Sequence, residues 1–225
     1  MSSALLLLAD SQLFFREQSA PQLHSLMRQR FPAAVDAAYI GAANGNEAAY
    51  YELACQALDT LTGRKNNIAF VADLADLPSE PCSLVILAGG SVGLGWEFIS
   101  KPPVWDWLHR CHHSPDSLMI GVSAGALHMA GGLDPERPGQ GRQTFLGWLP
   151  FDIAVHEEHQ SWPSLIRPPA LGIPMGGGIW VEGRPDQQSL RSLGSQCFTV
   201  AVSGIRQTIA NLEHPDQQAH PGDEN

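Results

Sequence analysis

Apolar residues cluster in short unbroken runs along the first half of the chain. Ala4 to Ala9 is the first, built on Leu5-Leu6-Leu7-Leu8 and closed by Asp10-Ser11. Val35 to Ile40, Ile68 to Val71, Ser83 to Leu87 and Leu118 to Ile120 repeat the pattern. Runs this short, almost wholly apolar, predict strands covered on both faces. The longer stretches between them predict helices over Gln22 to Arg30, Glu47 to Leu61 and Val104 to Cys111, with helical turns through Trp96. Asn44 is placed as an N-cap, with Glu47 three residues on. Strand alternating with helix predicts a parallel sheet with helices on both faces. Such sheets bind ligands at the carboxyl ends of their strands. Asp10, Gly41 to Gly45, Gly89-Gly90 and Ser123 all fall there.

The second half reads differently. Gly131 to Gln143, rich in Gly, Pro and charge, predicts a long surface loop. Phe151 to Val155 predicts a strand ending at His156. Ala170 to Ile173, Gly178 to Val181 and Phe198 to Val202 predict further short strands, partly antiparallel. No repeat or linker divides the chain, so residues 1–212 are expected to form a single α/β domain. From Glu213 onward the chain is polar and contains Pro, which predicts a disordered tail over 213–225.

Composition narrows the partners. Twenty-three acidic against thirteen basic side chains give a formal charge of −10 over 225 residues. That balance disfavours nucleic acid and anionic membranes as partners. The leucine run is too short for a signal-peptide core and has no basic residue before it, so it reads as a buried strand. Cys55, Cys82, Cys111 and Cys197 are scattered without a C-x-x-C pair, as expected of reduced thiols in a cytoplasmic protein.

The chemistry centres on Gly121-Val122-Ser123-Ala124-Gly125, a G-x-S-x-G directly after an apolar run. A nucleophilic serine needs its hydroxyl exposed at a sharp strand-to-helix turn, where side chains at Gly121 and Gly125 would collide. The helix that follows would aim its first amides at developing negative charge. A glycine turn with a capping serine is the plainer reading, but strand before and helix after fit the nucleophile. Such a serine needs a base, and nine histidines compete. His109, His112 and His113 end an amphipathic helix, His24 and His128 sit within helices, and His214 and His220 lie in the tail. His156 ends a strand and His159 follows it. Strand-end histidines are more often structural, so position alone leaves the base open.

G-x-S-A-G-A at Ser123, paired with Pro150-Phe151-x-Ile153-x-x-His156, resembles the dipeptidase E and cyanophycinase family of serine peptidases. LLLLADSQLF near the N-terminus, AYIGAANGNE and ILAGGS at 86–91 resemble it as well, so the match runs from Leu5 to about Val202. The resemblance implies a three-layer α/β sandwich with a mostly parallel central sheet, like class I glutamine amidotransferase domains, with extra short strands in the C-terminal half. It implies Ser123 as nucleophile, His156 as base, and an oxyanion hole from the backbone amides of Ala124 and Gly90. Gly89, Ser91 and Trp162 are the expected substrate-binding positions.

The chain departs from the family at the orienting acid. In dipeptidase E the orienting acid looks like a glutamate in a Pro-Glu-Gly turn; the corresponding stretch here reads Pro174-Met175-Gly176, and methionine cannot stabilise an imidazolium. Asp134 is the expected replacement, with Asp152, Glu157, Glu158 and Glu182 as other acids within reach. His156-Glu157-Glu158-His159 is not H-E-x-x-H, and no cluster completes a metal site, so neither metal nor cofactor is expected. The leading expectation is a hydrolase of small peptides or amides, acting without nucleic acid or membrane; a homodimer is left open. A non-catalytic relative that binds a small ligand in the same cleft is the second reading. An α/β-hydrolase esterase ranks last, because His156 follows the serine closely and an HGGG loop is missing.

Overall fold

The structure is a computed structural model that describes residues 3–165, 167–183 and 187–213. The tail expected over 213–225 therefore lies, past Glu213, outside the described residues.

In chain order the strands are β1 (Ala4–Leu8), β2 (Asp36–Ile40), β3 (Asn67–Val71), β4 (Leu84–Leu87), β5 (Leu118–Val122), β6 (Gly131–Leu133), β7 (Arg142–Thr144), β8 (Asp152–Val155), β9 (Ala170–Ile173), β10 (Gly177–Glu182), β11 (Ser189–Gly194), β12 (Phe198–Val200) and β13 (Arg206–Thr208). The α-helices are α1 (Gln12–Phe15), α2 (Pro21–Arg30), α3 (Ala48–Thr62), α4 (Val92–Ile99), α5 (Pro102–His113) and α6 (Ala124–His128). A seven-stranded sheet runs β11-β10-β1-β5-β4-β2-β3. Its five first-half strands are parallel, while β10 and β11 join antiparallel at one edge. A six-stranded sheet, β13-β12-β9-β8-β6-β7, holds the rest.

The apolar runs explain the first sheet. All five side chains of β1 are buried and alternate between its faces. Leu6 and Leu8 pack with Phe14, Leu23, Met27 and Leu58 from α1, α2 and α3. Leu5 and Leu7 pack with Phe98, Trp107 and Leu127 from α4, α5 and α6. Truncating one of these leucines to alanine should cost about 2–5 kcal/mol. The second cluster extends into the other sheet through Ile153, Leu171 and Ile173.

Several expectations need correcting. The loop expected over Gly131 to Gln143 contains β6 and most of β7, which pair with each other, and β6 also meets β8. Asn44 does not cap α3: it ends a short 3-10 turn, and Glu47 occupies the N-cap. β11 and β13 were not anticipated; Ser189–Gly194 is half-exposed edge sequence with little apolar content. No described helix is long and apolar enough to cross a membrane. All four cysteines are free.

Candidate active site

β5 stops at Val122, and the chain turns at once into α6. Ser123 sits on that turn at φ 51°, ψ −112°, a conformation a side chain rarely adopts. The turn is over-determined. The Ser123 N–H donates to the Leu8 carbonyl at 2.8 Å, one step beyond the β1–β5 ladder. The Ser123 carbonyl accepts from Ala126 and Leu127 at the start of α6. Crowding fixes the flanking glycines: a Cβ on Gly121 would lie 2.6 Å from the Gly125 oxygen, and one on Gly125 would lie 2.1 Å from the Leu87 oxygen.

His156 follows β8, and its N–H donates to the Ile173 carbonyl at 3.1 Å, extending the β8–β9 pairing. It too has positive φ, 52°. The Ser123 Oγ and the His156 Nε2 are 2.8 Å apart. Both line a cleft of about 220 Å³ together with Gly90, Ala124, Val155 and Gln160. Burial lowers the His156 pKa from 6.5, opposed by the negative charges of Asp10, Glu158 and Glu157, in that order. A neutral imidazole at this distance can take the proton of a hydroxyl as that oxygen attacks an electrophile.

The far side of the ring differs from expectation. His156 Nδ1 is buried and has no hydrogen-bond partner. Asp134 is not its acceptor. That carboxylate is only 2% exposed, and its Oδ1 caps the Glu136 N–H at 2.9 Å. It lines a separate depression with Trp96, Arg137 and Gln143, while the next two residues, Pro135 and Glu136, line the cleft. Glu157 is engaged elsewhere, accepting from the N–H and hydroxyl of Ser164. The carboxylates felt by His156 instead grip the turn that carries Met175. Asp10 Oδ2 accepts from the Gly176 N–H at 2.6 Å, and Glu158 Oε1 accepts from the Met175 N–H at 3.1 Å. Met175 itself is 47% exposed. Glu158 Oε2 is buried without a partner. In the sequence Glu158 stood only among the other acids within reach, behind Asp134. The 3-10 turn at Glu158–Gln160 brings its carboxylate back to the Met175 turn.

Gly90 has φ 134°, and a Cβ there would lie 2.2 Å from the Ala43 oxygen, so only glycine fits. Among the described residues, no backbone hydrogen bond is donated by the Gly90 or Ala124 N–H. Gly89 lies against the nucleophile, where a Cβ would be 3.2 Å from the Ser123 Cβ. Ser91 caps α4 through Leu94 and donates to Glu136 Oε2 at 2.6 Å. Trp162 is not in the cleft. It is 7% exposed and packs edge-to-face on Phe198 at 5.0 Å, a core contact made possible by its own positive φ of 63°. His128, fully buried, bonds the Val92 carbonyl at 2.9 Å and is held neutral, its pKa pushed down to about 4 by burial. Among the described residues, no group of three or more His, Cys, Asp or Glu is placed to hold a metal ion.

No protein-family model matches this sequence, and no curated protein matches it. Solved structures do. A peptidase from an acI-B1 Actinobacterium superposes with a TM-score of 0.69 at 16% identity, covering 95% of this chain and 96% of that one. A putative peptidase E protein from Listeria monocytogenes EGD-e superposes with a TM-score of 0.59 at 14% identity, covering 86% of this chain and 100% of that one. The chain shares its fold with these two structures.

Proposed function

We propose that this protein is a serine hydrolase of small peptides or amides. The observation that carries the reading is the 2.8 Å contact of Ser123 Oγ with His156 Nε2, made by two residues that each hold a positive φ. Folds retain such conformations mainly where function requires them. Ser123 Oγ attacks the amide carbon while His156 takes its proton. The Gly90 and Ala124 N–H groups, free of internal partners, stabilise the oxyanion. His156 then protonates the leaving nitrogen, and water, activated by the same imidazole, hydrolyses the acyl-enzyme. The fold shared with two peptidases supports this, as does the burial that lowers the His156 pKa. No metal or cofactor enters these steps, and the protein works as one α/β domain in the cytoplasm.

One observation favours a second reading. The unpartnered Nδ1 of His156 leaves the base unoriented, as in a relative that binds a ligand without turning it over. Hydrolysis of a dipeptide library by the wild-type chain, by Ser123→Ala and by His156→Gln separates the two. Turnover that vanishes in both variants supports the enzyme; ligand binding without turnover in all three supports the binder.

A further inference from the structure

We propose that the apolar cavity behind the Gly89-Gly90 turn receives the side chain on the acyl side of the scissile amide, and that it takes a large uncharged one, aromatic or branched. The proposal rests on the serine-hydrolase reading. The cavity measures about 240 Å³ and is walled chiefly by Phe14, Tyr39, Tyr50, Leu53, Ile86 and Val122. For comparison, an apolar cavity of about 150 Å³ accepts benzene.

Its position ties it to the nucleophile. Val122 immediately precedes Ser123, and Gly90 borders both this cavity and the cleft of Ser123 and His156. Gly89, which also lines the cavity, lies against the nucleophile: a Cβ on it would be 3.2 Å from the Ser123 Cβ. An acyl group whose carbonyl oxygen sits at the Gly90 N–H has this turn beside its adjacent carbon.

Helix α3 supplies one wall through Tyr50, Leu53, Ala54 and Ala57, spaced i, i+3, i+4 and i+7. A helix normally buries such a stripe against its own core. Here Ala54 and Ala57 are too small to fill the space, and Tyr50 and Leu53 remain 49% and 38% exposed at the mouth. Filling such a cavity recovers contacts its lining otherwise lacks.

No charged side chain lines the cavity. Tyr39 is a neutral phenol whose oxygen accepts from Asn44 Nδ2 at 2.7 Å, and burial raises its pKa. A carboxylate placed there would find no cation to pair with and would lose its hydration. An acidic side chain at this position of the substrate is therefore disfavoured.

The test uses diphenyl phosphonate esters bearing phenylalanine, leucine, alanine or aspartate side chains, with a plain alkyl fluorophosphonate as control, on the full chain. The readout is the second-order rate of Ser123 labelling. The phenylalanine and leucine reagents should outpace alanine by roughly ten- to hundredfold, with aspartate slowest. Ala57→Leu, which fills the cavity, should erase that advantage while the plain reagent reacts as before. Tyr50→Ala, at the exposed mouth, should reduce it several-fold and serves if Ala57→Leu does not fold. A flat or aspartate-led ranking with a reactive plain reagent overturns this proposal alone. Failure of the plain reagent to label Ser123 overturns the hydrolase reading and this proposal with it.

Discussion

His156 Nδ1 and Glu158 Oε2, two residues apart on the turn after β8, are both buried and both without a hydrogen-bond partner. The other oxygen of Glu158 holds the Met175 N–H, and the Glu158 charge is among those raising the His156 pKa. A carboxylate thus reaches the Pro174-Met175-Gly176 turn from the neighbouring loop, where the resembled family carries it within the turn. In a reactive complex, rotation of Glu158 would let Nδ1–H donate to it and fix the tautomer that the serine requires.

Glu158→Gln is accordingly expected to lower kcat/KM by about tenfold or more, towards the roughly 10⁴-fold loss known when an orienting acid is neutralised. It should also move the acidic limb of the rate profile to lower pH, because it removes a charge that favours imidazolium. Asp134→Asn, at a residue that only caps Glu136, should leave the rate near wild type. The reverse pattern in kinetics of the two variants would restore Asp134 as the partner.

Much of this site is legible in the sequence, and the failures have physical causes. Ser123 is marked by two glycines that the crowded elbow demands, and His156 by a strand that must end beside it. Asp134 was misplaced because its carboxylate turns back to accept from the Glu136 N–H, in a stretch expected as a loop that instead follows the paired strand β6. Trp162 was misplaced because proximity in sequence says nothing of a positive φ that swings the ring onto Phe198. The cavity beside α3 depends on Ala54 and Ala57 being small where they line it with Tyr50 and Leu53, which only the packed structure reveals.

The rate profile should itself report the burial of His156. Its pKa lies below 6.5, so the imidazole remains a base at pH values where an exposed histidine is already protonated. The acidic limb of kcat/KM should therefore be centred below pH 6.5. An acidic limb centred above that value, measured on an uncharged substrate, would contradict this.

Stability should carry a histidine signature too. His112 and His128 are both pushed down to about 4 by burial, whereas in the unfolded chain they titrate near 6.5. Between those values the unfolded state binds more protons, so stability rises with pH across that window. It is fully present above the unfolded value and lost as pH falls towards the folded one. The Tm should therefore decline steadily on acidification from 6.5 towards 4, and more shallowly in His128→Leu than in wild type.

The elbow's glycines should tolerate nothing larger. Gly125→Ala places a carbon 2.1 Å from the Leu87 oxygen, an overpacking expected to cost about 1–3 kcal/mol and to displace Ser123. Gly139→Ala, with nothing within 4 Å of the added carbon, is the control and should leave Tm unchanged. Equal melting temperatures for the two variants would show that the strand–helix crossing can relax.

The central claim is that Ser123 is a nucleophile activated by His156. Its most direct test is reaction of the folded wild-type chain with an alkyl fluorophosphonate, followed by peptide mapping in a mass spectrometer. The account predicts a single phosphonylated residue, Ser123, with labelling lost in Ser123→Ala and strongly slowed in His156→Gln. An unlabelled protein, or a label on another serine, would contradict it.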